Sequence, residues 1–180
     1  ETIWLKETWV DARYPNTPSV KQALLNIAAR VKSTPSGEWI YVAGVSASEN
    51  KFAEKRLPTK DELDQVAPNN PVIMANGAHM AIANSAALFK MGIKKGVTKL
   101  RHGAGVLADK NGEPNGVITD GMGDIPGSPS PQEIARYYAS DIAKFWNSYG
   151  FTSVMAITPA AAMPIMQSVS LSTPTPNIRF

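Results

Sequence analysis

The stretch Phe151-Thr152-Ser153-Val154-Met155-Ala156-Ile157, followed by Thr158-Pro159 and later by Asn177-Ile178-Arg179-Phe180, decides how the chain is read. The first segment carries β-branched Thr152, Val154 and Ile157, which suit a pleated surface and predict a strand. Thr158-Pro159 has the form of a helix start, and that helix is expected to run to about Ser168, with Pro164 kinking or stopping it. Asn177–Phe180 begins another strand. Strand, helix, strand is the βαβ unit, whose crossover makes the two strands parallel. A parallel sheet is covered by helices on both faces and needs more strands than this tail supplies, so the missing neighbours are expected outside the chain.

Working upstream, Ser130-Pro131-Gln132-Glu133 supplies a capping box, and Ile134, Tyr138, Ile142, Phe145 and Tyr149 line one face of a long helix closed by Gly150. Gly121 to Pro129 is rich in glycine and proline and reads as a linker or mobile loop. Gly105–Ala108 and Gly116–Thr119 flank a turn-rich stretch and predict a β-hairpin, with Asn111-Gly112 as its tight turn. Asn84 to Gly92 has a polar cap, helix formers and a terminal glycine, so a two-turn helix is expected. Pro71–Ala75 and Trp39–Gly44 read as interior strands, and Pro58–Asp64 as a short helix capped by Thr59. Thr17-Pro18 is expected to cap the clearest amphipathic helix, whose apolar positions are Val20, Ala23, Leu24, Ile27, Ala28 and Val31. Residues 46–58 are polar and show no period.

The length of 180 residues suits one domain or one and a half small ones, and is short for a closed eight-stranded barrel of roughly 250 residues. Two histidines, His79 and His102, and no cysteine exclude disulfides and any zinc site of three His/Cys ligands built from this chain alone. Eighteen basic against fifteen acidic side chains give +3, with no Lys/Arg run longer than Lys94-Lys95, so no nucleic-acid footprint is indicated. No apolar run approaches the ~20 residues of a membrane span, and no membrane partner is expected.

Several stretches, in order, resemble the YtcJ-like branch of the amidohydrolase superfamily. They are Glu38-Trp39-Ile40 with Gly44, Leu57-Pro58 to Leu63-Asp64, Pro71-Val72, and most specifically Gly77-Ala78-His79 followed by Asn84-Ser85-Ala86-Ala87-Leu88. Gly105–Val117 resembles that family's hairpin, and Gly150-Phe151-Thr152-Ser153-Val154 its Gly-x-Thr-Ser-Val strand. An alanine separates Gly77 from His79, and Asn76 stands where the family commonly has aspartate. The resemblance implies a metal-dependent hydrolase, with a divalent ion, zinc by expectation, held at the carboxyl ends of barrel strands by a His-x-His pair and later ligands. No His-x-His exists here.

On that resemblance the chain is expected to be an internal fragment of α/β class: a partial (β/α) barrel segment with an inserted α+β subdomain containing a β-hairpin. The expected divisions are 1–37 around the first barrel helix, 38–129 as the inserted subdomain and 130–180 as a truncated βαβ segment. The parent is expected to cleave an amide or formamide-type C–N bond with metal-activated water. This chain alone would hold no metal and be inactive. A non-catalytic α/β binding or regulatory module derived from the same fold is the rival reading.

His79 follows a predicted strand and precedes a helix, where an imidazole can face a pocket and donate to a substrate carbonyl or leaving group. It is the candidate catalytic and substrate-contacting residue, and the other reading is a loop histidine bonded to backbone carbonyls. Asn84 and His102 are further substrate-binding candidates. Asn84 and Ser85 are equally preferred helix caps, and His102 equally a solvated loop residue. Asp120, Asp124 and Gly121-Met122-Gly123 fit no EF-hand or phosphate-loop spacing and read as a loop. Trp39, Tyr41 and Trp146 are expected to pack in the core or between domains. The expected partners are a small amide-like substrate and either the remainder of the parent chain or a second copy.

Overall fold

The computed structural model describes residues 9–44, 48–77, 79–120, 124–127, 132–133, 148–155, 164, 167 and 177–179. The chain gathers into two compact units, Glu1–Ser128 and Pro129–Phe180.

The first unit is built on a six-stranded mixed sheet. In chain order its elements are β1 (Val10–Asp11), α1 (Val20–Val31), β2 (Ile40–Gly44), α2 (Ser48–Lys51), α3 (Lys60–Val66), β3 (Val72–Asn76), β4 (Met80–Ala83), α4 (Ser85–Lys90), β5 (Gly105–Ala108) and β6 (Pro114–Thr119). The strand order is β1-β2-β3-β4-β6-β5, parallel among the first three and antiparallel from β3 onward. One sheet thus takes in strands from both the 1–37 and the 38–129 stretches, and parallel pairing begins well before the tail.

Successive strand residues point to opposite faces, and both faces are covered. Ile40, Val42, Val72, Met74 and Ile82 join Val20, Ala23, Ile27 and Leu63 in a core shared with α1 and α3. Ile73, Ala81, Ala83 and Ile118 join Ala87, Leu88, Ile93, Ala104 and Val106 in a second core shared with α4. Trp39 and Tyr41 pack on this second core, stacked with ring centroids 5.9 Å apart, and Trp9 stacks on Tyr41 at 5.8 Å. Trp146 lies outside the described residues.

Local chemistry moves some predicted boundaries. Helix α1 starts later than expected, because Ser19 rather than Thr17 is its cap: Ser19 Oγ accepts from Gln22 N, while the buried Thr17 hydroxyl donates to the Asp11 carbonyl at 3.1 Å. Glu54 then receives the free amides of Val20 and Lys21 at 2.8 and 3.2 Å, so residues beyond the helix complete its start. Residues 46–58 hold the short α2 and the fully buried Phe52. Met80–Ala83, given no element from the sequence, is a strand, because β3 and β6 supply pairing on both sides.

The predicted hairpin is present, with a different turn. Asp109 N donates to the Glu113 carbonyl and Gly112 N to the Asp109 carbonyl, with Gly112 at φ +79°, giving a three-residue loop, Lys110-Asn111-Gly112, closed by a left-handed glycine. The Asp109 carboxylate accepts from the amides of Asn111 and Glu113, at 2.8 and 3.0 Å, and these bonds hold its carboxyl below the usual range. Within the predicted linker, Ile125 packs on the second core, and a Cβ on Gly127 would fall 2.3 Å from the Tyr41 ring. Gly121-Met122-Gly123 and residues 128–130 lie outside the described residues.

Helix α3 begins with the expected Thr59 cap, completed by Glu62 as a capping box. Arg56 grips both Glu62 oxygens at 2.7 Å, and with the Thr59 amide it lowers the Glu62 pKa to about 2. A carboxylate depressed in the folded state contributes stability above its unfolded pKa, lost as pH falls through the folded one. Urea unfolding midpoints are therefore expected to drop between pH 4.5 and about 2, and Glu62→Gln should flatten that limb. Solvent screening of this exposed pair keeps that drop small.

In the second unit, β7 (Ser153–Met155) and β8 (Asn177–Arg179) pair in parallel, with Ser153 opposite Asn177. This is the pairing that the strand, helix, strand reading requires. Of the helix expected between them, Pro164 and Gln167 are described and both are helical, so helix is present past Pro164; the rest of it, and most of the long helix expected before Gly150, lie outside the described residues.

Candidate functional site

Parallel strands β1, β2 and β3 end at Asp11, Gly44 and Asn76. Register places the start of β4, the end of β6 and the start of β5 at the same edge, since Asn76 faces Met80, Met80 faces Thr119 and Thr119 faces Gly105. The carboxyl edge of a parallel sheet is where ligands bind in α/β folds, because the loops there diverge and leave a crevice. Both histidines stand at this edge.

His79 precedes β4 and Asp120 follows β6, so the register that pairs Met80 with Thr119 brings them together. Asp120 N donates to the His79 carbonyl at 3.0 Å, and His79 Nδ1 lies 3.1 Å from Asp120 Oδ1. The two side chains are 83% and 72% exposed. Asp120 sits at φ +52°, a left-handed conformation uncommon outside glycine.

His102 lies just before β5. Its Nδ1 is 2.8 Å from Asp124 Oδ1, and the amides of His102 and Ala104 donate to the same carboxylate. Asp124 is 6% exposed; burial opposes its charged form, but the His102 and Ala104 bonds prevail and hold its carboxyl below the usual range. It is the clip that fixes the loop before β5. Also at this edge, Arg13 grips Asp11 through Nε at 2.8 Å and Nη2 at 3.0 Å, which lowers the Asp11 pKa.

Asn84 lies at the opposite end of β4, fully buried. Its Oδ1 accepts from Val72 N and Ala87 N, both at 2.9 Å, and its Nδ2 donates to the carbonyls of Ala67 and Asn70 at 3.0 and 2.9 Å. All four hydrogen-bonding positions of the amide are used, so Asn84 caps α4 and ties three segments together. Its neighbour Ser85 donates through Oγ to Asp64 at 2.6 Å and accepts from Lys60 Nζ at 3.2 Å, a contact joining α4 to α3. Ser85 and Lys60 border an open cleft of about 1200 Å³ between the start of α3, α4 and the hairpin. His79 and His102 do not line it.

The structure thus gathers His79 and His102 at one edge and sends Asn84 to the other. No local pattern in the sequence pairs the loop residues Asp120 and Asp124 with the histidines, which stand 41 and 22 residues away. Among the described residues, no group of three or more His, Asp or Glu side chains could hold a metal ion.

A mixed α/β sheet with polar pairs at its carboxyl edge gives the class of fold and does not by itself name a chemistry. The chain belongs to the amidohydrolase family, whose model matches residues 2–173. It is 32% identical over 128 residues to N-substituted formamide deformylase of Arthrobacter pascens, covering 71% of this chain and 23% of that protein. It is 35% identical over 123 residues to the putative amidohydrolase YtcJ of Bacillus subtilis (strain 168), covering 67% of this chain and 22% of that one. Protein LONG AFTER FAR-RED 3 of Arabidopsis thaliana is 33% identical over 106 residues, or 58% of this chain and 17% of that protein. The chain therefore spans less than a quarter of the length of these relatives. No solved structure gives a significant match. Members of the family are typically metal-dependent; the described residues here do not form a ligand set that fits an ion.

Proposed function

We propose that this chain is the scaffold and part of the mouth of a longer metal-dependent hydrolase that cleaves an amide or formamide-type C–N bond. The family match together with the place of His79 carries the reading: it stands at the carboxyl edge of the sheet, within the matched residues 2–173. In the barrel interpretation β1, β2 and β3 with α1 and α3 are consecutive strand and helix units, and the hairpin region is an insertion after β3. The divalent ion, zinc by expectation, is held by residues other than those described here, and His79 contacts the substrate amide. His102, clipped by Asp124, shapes the same mouth.

Two measurements test this. The isolated 180-residue chain is expected to take up less than one tenth of an equivalent of zinc in equilibrium dialysis and to release no amine from an N-substituted formamide. Stoichiometric zinc with turnover would overturn the proposal. A longer protein containing the chain is expected to hydrolyse the formamide and to stop when a chelator removes its metal. His79→Ala in that protein should lower kcat/KM at least about tenfold, which corresponds to about 1.4 kcal/mol of transition-state stabilisation. An unchanged value would remove His79 from the site.

A further inference from the structure

The His79–Asp120 pair carries more than a surface ion pair would. A side-chain contact this exposed adds little to stability, so stability alone gives little reason for the arrangement. Asp120 nevertheless holds a left-handed backbone at φ +52° in which its amide donates to the His79 carbonyl and its carboxylate reaches the His79 ring. Aspartate adopts this left-handed backbone more readily than most residues, and here it turns the end of β6 so that the carboxylate meets the His79 ring.

The chemistry of the contact fixes the proton. An ionised carboxylate only accepts hydrogen bonds, so Nδ1 must donate, and the neutral ring then carries its proton on Nδ1 and a lone pair on Nε2. No described residue bonds Nε2. The ring is thus held by one nitrogen and offers the other at the carboxyl edge.

We propose that Asp120 is a positioning residue for His79, fixing the ring as the Nδ1–H tautomer so that Nε2 relays a proton to the leaving nitrogen. The inference rests on the proposed hydrolase function. In the relay, the oxygen of water bonds to the carbonyl carbon, one water proton passes to Nε2 and from there to the nitrogen, and the C–N bond breaks to give acid and amine. Asp120 balances the charge of the transient imidazolium. A substrate whose leaving group is a basic amine needs such a donor, because an amide anion is a poor leaving group.

The test is the nitrogen spectrum of the His79 ring in the ¹⁵N-labelled 180-residue chain, at a pH where the ring is neutral. The expected spectrum is that of the Nδ1–H tautomer. Asp120→Gly, which accommodates the left-handed backbone and deletes the side chain, should shift the ring to the Nε2–H form. Asp120→Asn, which keeps an acceptor, should retain Nδ1–H. In the longer hydrolase, Asp120→Gly should lower kcat about tenfold with KM within twofold, and Asp120→Asn should fall between. A ring protonated on Nε2 in the unsubstituted chain overturns the inference whatever the longer protein hydrolyses, as does an unchanged kcat in Asp120→Gly. A longer protein that hydrolyses no amide, with Nδ1 still protonated in the chain, overturns the proposed function and leaves the positioning of the ring standing.

Discussion

Asn84→Ala is expected to lower the stability of the chain by roughly 3 to 4 kcal/mol, a large share of the about 5 to 15 kcal/mol typical of a small domain. The side chain is fully buried and all its donors and acceptors are used. Alanine leaves two amides, Val72 N and Ala87 N, and two carbonyls, those of Ala67 and Asn70, facing a space the size of the lost amide. Each orphaned buried group costs about 1 to 3 kcal/mol, offset in part where water enters. The affected segments are the end of α3, the entry to β3 and the start of α4, so the loss spreads across the sheet. Ser85→Ala, one residue on and exposed, should cost about 1 kcal/mol or less, because its partners Asp64 and Lys60 remain hydrated. Urea denaturation with an unchanged m-value reads both. Equal losses at the two positions would refute this account of Asn84.

Gly116→Ala carries the second large effect, roughly 2 to 4 kcal/mol. Gly116 has φ +94° within the β6 irregularity that lets Ala108 face Pro114 although Val106 faces Ile118. A left-handed backbone costs a side-chain-bearing residue about 1 to 2 kcal/mol by itself. Here an added Cβ would also fall 2.6 Å from the Ala83 carbonyl oxygen and 2.9 Å from Lys60 Cβ, backbone and stem atoms that cannot simply swing away. Gly112→Ala isolates the first term: its φ is +79°, but the nearest atom is the flexible Lys95 Cε at 3.7 Å, so about 1 kcal/mol is expected. Because β6 carries Asp120 at its far end, Gly116→Ala should also disturb the His79–Asp120 contact, and the His79 ring signal should move in this variant but not in Gly112→Ala.

Much of the fold follows from local pattern. Strands β2, β3, β5 and β6 and helices α1, α3 and α4 fall within a few residues of where periodicity and capping residues put them. Their signals sit within one turn or one pleat: Thr59 with Glu62, Asn84 before a run of helix formers, apolar residues alternating across two covered faces. Strand β4 escaped notice because Met80–Ala83 is a short apolar run between a glycine turn and a helix cap, and only its neighbours β3 and β6 make it a strand. The Ser19 cap was missed for a related reason: Thr17 has the right chemistry, but its hydroxyl is engaged by the Asp11 carbonyl, nearby in space rather than in pattern.

The amino-acid sequence by itself determined which segments become strands and helices, the family to which the chain belongs, and, with two histidines and no cysteine, that no zinc site of three His/Cys ligands is built from this chain alone. Those properties rest on side-chain size, polarity and spacing along a few residues. Only the tertiary structure decided that His79 meets Asp120, that His102 meets Asp124, and that Asn84 is spent inside the fold. A hydrogen bond between residues 41 apart depends on strand register, which many distant apolar contacts set together and no local stretch encodes.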